Sequence, residues 1–189
     1  MDQAPVVVRR RLMLASLVIL PATGLAVSVA GCQEAGMQDR QLIFRSLADA
    51  TQELAALSRA EPLSSATAWN WAQTLTHGAQ SIEYSMTGYP QARSALFQRT
   101  VGTVAFAVFA WRGRMTHDLG EAIPGAPTLD AAAAVELARA RLSKAIADFT
   151  VWTGPLRPHF AYGALDKGQY AHAHAMHLAN HFSGFHQKA

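Results

Sequence analysis

Apolar residues recur at intervals of three and four positions along most of this 189-residue chain, and this spacing sets the expected fold class. In the segment 37–59 the positions that follow it are Leu42, Ile43, Leu47, Ala50, Leu54 and Leu57. Because an α-helix has 3.6 residues per turn, these side chains lie on one helix face and polar residues fill the other. The segment is therefore predicted to form an amphipathic helix.

The same spacing predicts four more helices, at about residues 66–86, 93–115 and 128–149 and from Asp166 onward. Ser64 and Ser65 are candidate caps for the second of the five helices, and Asp166 with Gln169 has the spacing of a capping box. Aromatic residues make up only 8% of a chain rich in alanine, and no segment has a convincing strand pattern. Short loops between such helices predict an all-α protein, an antiparallel four-helix bundle with one additional helix.

The third predicted helix contains an almost wholly apolar stretch at residues 101–111, flanked by Arg99, Arg112 and Arg114. A helix that spans a bilayer needs about 20 apolar residues, so this stretch is too short. It is therefore predicted to be a helix of the protein core.

The first 32 residues have the features of an export signal. Three arginines at positions 9–11 precede an apolar run that starts at Leu12 and ends in small residues. The segment Val29-Ala30-Gly31-Cys32 resembles a bacterial lipobox, in which the cysteine thiol accepts a lipid. The arginines also resemble a twin-arginine signal, and an uncleaved membrane anchor is the alternative interpretation.

These features predict three parts of the chain: a signal peptide (1–31), a lipidated tether (32–37) with Cys32 as the lipidation site, and a helical domain (38–189). The protein is expected to be an exported, membrane-anchored lipoprotein on the periplasmic side. The membrane is thus a predicted partner, reached through the lipid anchor. The sequence leaves open whether the chain forms a homodimer.

Charge and cysteine content exclude other classes of protein. The formal net charge is +3, but without residues 1–31, which hold three arginines and Asp2, 13 basic residues face 12 acidic ones. No Lys/Arg stripe alternates with aromatic residues, so nucleic acid is not an expected partner. A single cysteine excludes both a disulfide framework and a cysteine-type zinc site.

Histidines are the most informative residues in the last predicted helix. His174, His177 and His181 project from one face that borders its apolar stripe, whereas His172 and His186 are expected to face solvent. Imidazoles four positions apart can place nitrogens on one ion at about 2.0–2.1 Å. Hydrogen-bonded histidines at the edge of a core would give the same pattern, which leaves that alternative open.

The second predicted helix adds His77, which shares a face with Gln73, Gln80, Ser81 and Tyr84. Polar groups on a helix that is otherwise apolar suggest a polar pocket inside the bundle. His77, His177 and His181 would give three neutral nitrogen ligands and leave a position open, as in catalytic metal sites. This ligand set suits Zn²⁺, Ni²⁺ or Fe²⁺, which can lower the pKa of a bound water to about 7.

Three segments, at 77–84, 158–165 and 177–182, resemble the DinB-like (YfiT-type) metal-binding helical bundles, and in particular a branch classed as domain of unknown function fifteen-sixty-nine. The resemblance implies that His77, His177 and His181 hold one divalent metal ion. It also implies a relation to thiol-dependent transferases and isomerases. The chain departs from the branch pattern at Asn180 and Gly184, where relatives often carry histidine and glutamine.

For several other polar residues the sequence indicates a role less strongly than for the three histidines. Tyr84, Tyr162 and His174 are candidate catalytic groups in the pocket. His117 is predicted to interact with the end of the third helix, together with Asp118, rather than with a metal. His159 could lie over the pocket or pack beneath it, and packing is favoured. Glu83 projects away from the direction of His77 and is a poor ligand, although a role as a base through water stays open.

Three functions are compatible with these features. The first is a metal-dependent hydrolase or thiol-type transferase that acts on a small molecule. The second is a non-catalytic lipoprotein that holds a metal or serves structure and interaction, and the third is a bundle whose histidines only pack. Whether the chain is an enzyme is therefore undecided by the sequence.

Overall fold

The computed structural model describes residues 39–65 and 67–188 of the chain. The predicted signal peptide at 1–31, the lipidation site Cys32 and the tether at 32–37 lie outside the described residues.

Helices dominate the described residues, as the apolar spacing predicts. In chain order the elements are α1 (Leu47–Arg59), β1 (Leu63–Ser65), α2 (Trp71–Thr87), α3 (Ala95–Phe97), a π-helical turn (Gln98–Gly102), α4 (Thr103–Arg112), α5 (Val135–Val151), α6 (Lys167–Phe182) and β2 (Phe185–Gln187). The expected all-α class is confirmed in the sense that strand is confined to two segments of three residues within the described part of the chain.

The first two helices begin later than predicted, because a polar side chain caps each one at its observed start. Ser46 accepts a hydrogen bond from the backbone N–H of Asp49, and the Asp49 carboxylate accepts one from the N–H of Ser46. Asn70 and Gln73 form the same reciprocal pair at the start of α2. The serines predicted to cap α2 lie in β1 instead, so that prediction was wrong.

The fourth predicted helix also begins later, at Val135 rather than near Thr128. The Asp130 carboxylate accepts a hydrogen bond from the backbone N–H of Ala132, which holds a turn at this point. An aspartate that bonds its own backbone two residues on competes with helix formation. The helix therefore starts only beyond this turn.

The last helix begins where the sequence predicts. Asp166 accepts from the N–H of Gln169, and the Gln169 side chain accepts from the N–H of Asp166. The helix ends at Phe182, however, and His186 lies in β2 instead of on its solvent-facing side. β2 pairs antiparallel with β1, with Leu63 opposite Gln187. The sequence pattern missed this sheet because strands of three residues are too short to show alternation.

The larger of two apolar cores joins α1, α2, α5 and α6. α2 packs along α5 and α6, and α6 also packs against α1. Fully buried side chains in this core include Leu75, Ile82, Leu142, Phe149 and Phe182. Side chains packed this closely resist displacement, so the core fixes the relative position of α2 and α6, which carry most of the histidines of interest.

The smaller core places α4 against α6 and contains Phe106, Met115, Ala173 and Met176. The prediction of a core helix over residues 101–111 was wrong, because most of its apolar side chains are exposed. Val101, Val104 and Trp111 are 57%, 62% and 86% exposed. Only the side around Phe106 is covered, since α4 lies at the edge of the fold rather than between other helices.

None of the helices within residues 39–65 and 67–188 combines the length and the apolar character that a membrane crossing requires.

Candidate metal centre

Three histidines predicted as metal ligands come together between α2 and α6. His77 projects from α2, and His177 and His181 project from α6, one turn apart. One ring nitrogen from each lies within 4.8 Å of the others, and the ring centroids are 4.7–4.9 Å apart. Of the sequence-predicted site residues, these three form a group that could hold a metal ion.

A glycine beside the first ligand lets the two helices approach each other. A Cβ atom on Gly78 would lie 2.8 Å from Cδ2 of Leu178 and 3.5 Å from Cδ1 of Leu142. At separations below 3.0 Å something must move, so a larger residue would displace the buried end of the Leu178 side chain. Gly78 thus allows α6 to pack closely on α2 beside His77.

The geometry of the cluster fits a tetrahedrally coordinated cation. The Nε2 atoms of His77 and His177 are 3.1 Å apart. Two nitrogens that each lie 2.0–2.1 Å from a tetrahedral ion are separated by about 3.3 Å. The buried Nε2 of His181 has no hydrogen-bond partner among the described residues, which leaves its lone pair or proton unused by the protein. Donor type and spacing therefore both suit a divalent metal.

Burial keeps all three rings neutral. Desolvation lowers the pKa of His77 to about 3 and lowers the pKa of His177 and of His181 well below the usual value. Neighbouring histidines lower these pKa values further, since a second positive charge nearby is unfavourable. Neutral imidazole is the form that binds a metal, so the cluster is ready to coordinate one at pH 7.

The indole of Trp69 covers one side of the cluster. It stacks on His181 with 8° between the ring planes, and its centroid lies 4.8 Å from that of His77. The hydroxyls of Ser65 and Thr67 donate to the backbone carbonyl of Trp69 and hold this segment in place. Trp69 therefore screens the imidazoles on this side with an apolar surface.

A fourth histidine lies beside the cluster, and sequence reasoning did not assign it there. The ring of His117 is 5.0 Å from that of His181 and 5.2 Å from that of His177, measured between centroids. His117 lies in the loop after α4, and its Nδ1 is 2.8 Å from the backbone carbonyl oxygen of Asp118. His117 was expected to interact with the end of the third helix, but its ring lies beside those of the candidate ligands instead. A loop residue has no fixed spacing from helical partners, so no sequence signal could reveal this.

A cavity of about 190 Å³ adjoins the cluster. His77, His117 and His177 form part of its wall, while His181 is not among the described residues that line it. The rest of the wall combines apolar side chains with two charged residues; the main contributors are Arg93, Phe97, Met115, Glu121, Ile123 and Phe160. The cavity is large enough for a small organic molecule in contact with the histidines.

Two of the three candidate catalytic residues line this cavity. His174 is fully buried, and burial lowers its pKa to about 3, while burial raises the pKa of Tyr162 to about 12. Both side chains are therefore neutral at pH 7. Tyr84 is not among the described residues that line the cavity, and its ring lies 5.7 Å from that of Tyr89.

His159 packs against neighbouring aromatic rings and also lines the cavity. Both alternatives considered from the sequence therefore apply to this residue. It is 8% exposed, and its ring stacks on Tyr162 with centroids 4.2 Å apart. Its Nδ1 accepts hydrogen bonds from the backbone N–H groups of Ala161 and Tyr162. Its role is to hold the turn that forms one wall of the cavity.

Glu83 has a structural partner instead of a catalytic one. Its two carboxylate oxygens accept hydrogen bonds of 2.9 and 2.7 Å from the guanidinium of Arg141. This bidentate ion pair joins α2 to α5. The idea of Glu83 as a base acting through water is therefore not supported by its position.

Fold and site together define an all-α protein with a buried three-histidine centre beside a small cavity. The chain belongs to the family described as "Protein of unknown function (DUF1569)", whose model matches residues 36–188. The matched segment contains all the described helices and all the clustered histidines. No curated protein and no solved structure gives a match to this chain.

Proposed function

We propose that this protein binds one divalent metal ion through His77, His177 and His181 and applies it to small molecules that enter the adjacent cavity. The observation that carries the proposal is the convergence of three neutral imidazoles, two of which, His77 and His177, also line that cavity. Nitrogen ligands without thiolate favour Zn²⁺, Ni²⁺ or Fe²⁺.

Each surrounding group has a part in this proposal. Burial keeps the three imidazoles neutral, and Trp69 limits access of water from one side. A divalent ion bound there supplies Lewis-acid chemistry, because it lowers the pKa of a coordinated water or thiol. Apolar side chains in the cavity wall accommodate the organic body of a substrate, while the two charged residues of the wall, Arg93 and Glu121, form an ion pair of 3.5 Å with each other.

A metal-dependent hydrolase or thiol-type transferase is the reaction class that we propose. The resemblance to DinB-like four-helix bundles supports it, as does the position of the cavity. Tyr162 is a candidate hydrogen-bond donor rather than a strong acid, because burial raises the pKa of its hydroxyl to about 12. His174 is neutral and is a candidate hydrogen-bonding group deeper in the wall.

Metal analysis of the purified full-length chain tests the centre itself. We expect about one metal ion per chain for the wild type, and strong loss in His77→Ala and His181→Ala. His172→Ala is the matched control, since His172 lies on the same helix as His181 but outside the cluster. Equal, substoichiometric metal in the wild type and in both ligand variants contradicts the proposal.

Turnover distinguishes the enzyme from its alternative. The metal-loaded chain is assayed with small esters for hydrolysis and with a small thiol plus an electrophile for transfer. We expect activity that disappears in His77→Ala. Tight metal binding without any turnover supports the second candidate, a non-catalytic metal-holding or structural lipoprotein.

We also propose that the protein is exported and anchored to the membrane through a lipid on Cys32, on the periplasmic side. The support is the lipobox-like segment that ends at this cysteine, the only one in the chain. Mass spectrometry of the mature N-terminus is expected to find an acylated Cys32. A mature protein that still begins with an unmodified Met1 contradicts it.

A further inference from the structure

Four imidazole rings, not three, meet at the centre. The distances from the His117 ring to those of His181 and His177 are 5.0 and 5.2 Å, close to the 4.7–4.9 Å among the other three. His117 also lines the cavity together with His77 and His177. It therefore approaches the cluster from the cavity side.

The hydrogen bond of His117 selects the tautomer that a ligand needs. A backbone carbonyl oxygen can only accept, so the 2.8 Å contact with Asp118 places the ring proton on Nδ1. Nε2 then carries the free lone pair. Metal-binding histidines in proteins almost always donate their second ring nitrogen to a carbonyl or carboxylate in this manner.

We propose that His117 is a fourth nitrogen ligand of the same ion. This inference rests on the proposed function, since it requires metal at His77, His177 and His181. Three ligands come from helices packed in the main core, and the fourth comes from a segment without helix or strand between α4 and α5. His117 lies outside the group of three whose ligand atoms are within 4.8 Å of one another, so this segment must move to bring Nε2 into the set, whereas the helical ligands are fixed by packing.

Four nitrogens complete a tetrahedral shell. His117 then occupies the position that faces the cavity, and a substrate in the cavity reaches the ion only when His117 gives way. With His117 bound to the ion, the centre is closed, as in structural metal sites. With His117 displaced, the centre is open, as in catalytic metal sites.

Titration of the metal-free, full-length chain with Co²⁺ tests the proposal without any activity assay. Calorimetry gives the affinity, and visible absorption reports the ligands around the ion. We expect His117→Ala to bind one Co²⁺ with an affinity at least about 10-fold lower, since loss of even an outer-shell partner costs that much, and with a changed visible spectrum. His172→Ala is the control and is expected to match the wild type.

His117→Cys provides a readout that a purely structural role would not produce. A thiolate at position 117 bound to Co²⁺ is expected to add a sulfur-to-metal charge-transfer band in the near ultraviolet, relative to the wild type, whose sole cysteine is Cys32. Absence of this band overturns the inference.

The inference is also overturned if His117→Ala has the same Co²⁺ affinity and the same visible spectrum as the wild type. If His77→Ala loses the ion in the same series, the three-histidine centre stands and only the fourth ligand is refuted. If His77→Ala also binds like the wild type, the proposed function fails as well.

Discussion

His159 holds the turn at one wall of the cavity through a single ring nitrogen. Nδ1 accepts from the N–H groups of Ala161 and Tyr162 at 3.1 and 3.2 Å, so this atom cannot carry a proton in the folded state. Burial lowers the pKa of His159 to about 3. The same side chain thus fixes a local backbone conformation and makes it sensitive to acid.

His159→Ala is expected to lower the free energy of unfolding by about 1–3 kcal/mol, because two buried N–H groups lose their acceptor. His159→Asn is the matched variant, since its side-chain oxygen can accept in a similar position, and it should lose less. Chemical denaturation at pH 7.5 measures both. Equal losses in the two variants would show that the ring packing, rather than the acceptor, stabilises the turn.

Acid sensitivity is a second consequence of the buried histidines. His159 and His174 have a pKa of about 3 in the folded protein against 6.5 for the free side chain. Between these values the unfolded chain binds more protons than the folded one, so stability falls as the pH decreases from about 6.5 towards 3. Each such group contributes a slope of up to about 1.4 kcal/mol per pH unit.

Unfolding curves of the metal-free chain between pH 7.5 and pH 4 measure this dependence. The stability of His159→Asn should fall less steeply with acid than that of the wild type, because asparagine does not titrate. Parallel pH profiles for the two proteins would contradict the assignment of His159.

At the level of elements, the π-helical turn between α3 and α4 touches the same wall of the cavity. The Gln98 side chain in this turn donates to the backbone carbonyl of Phe160. A Cβ atom at Gly102 would lie 1.9 Å from the carbonyl oxygen of Ala161. The turn can therefore approach the segment around Ala161 only with glycine at position 102.

Gly102→Ala is expected to cost about 1–3 kcal/mol of stability, since helix or wall must move to relieve the overlap. Metal stoichiometry should be retained, because His77, His177 and His181 lie on other helices. Gly168→Ala in α6 is the control: its Cβ would meet only the Asp166 carboxylate, at 3.4 Å, and alanine favours helix. Denaturation curves and metal analysis give both quantities, and a Gly102→Ala chain as stable as the control refutes the steric argument.

The helix boundaries depend on polar side chains at specific positions. Asp166 and Gln169 could be recognised in advance because the capping box is a local, four-residue pattern. Asn70 caps α2 by the same mechanism but lay inside the predicted helix. The apolar spacing continues on the N-terminal side of Asn70, so it cannot show where α2 begins.

For the whole molecule, metal binding should add to folding stability, since the site spans α2 and α6. A ligand that binds only the folded state stabilises it by about 2.7 kcal/mol at 100 times its Kd. For a domain of this size, 1 kcal/mol raises the Tm by about 2–4 °C. Calorimetry with and without Zn²⁺ is expected to show a rise of about 5–10 °C in the wild type.

The same increase should appear in His172→Ala and disappear in His77→Ala. A similar Tm shift in all three proteins would mean that the ion stabilises the chain from a site other than the histidine cluster.

The apolar face of α4 is a case in which the sequence pattern predicts burial and the tertiary structure leaves the side chains exposed. Val104, Val108 and Trp111 follow a pattern typical of a buried helix, yet they are exposed. Hydropathy reports which side chains favour burial, but which of them are covered depends on how the other helices pack. The contact between β1 and β2 likewise joins the segment between α1 and α2 to the segment that follows α6.

The sequence by itself determined the helical class, the cap at Asp166 and the shared face of His177 and His181, because these follow from interactions within one or two helical turns. His77 could be selected as their partner from its polar surroundings on one helix face. The tertiary structure alone decided that His117 lies beside them, that His159 holds the cavity wall and that α4 is exposed. These features arise from packing between distant segments, whose energies local spacing does not encode.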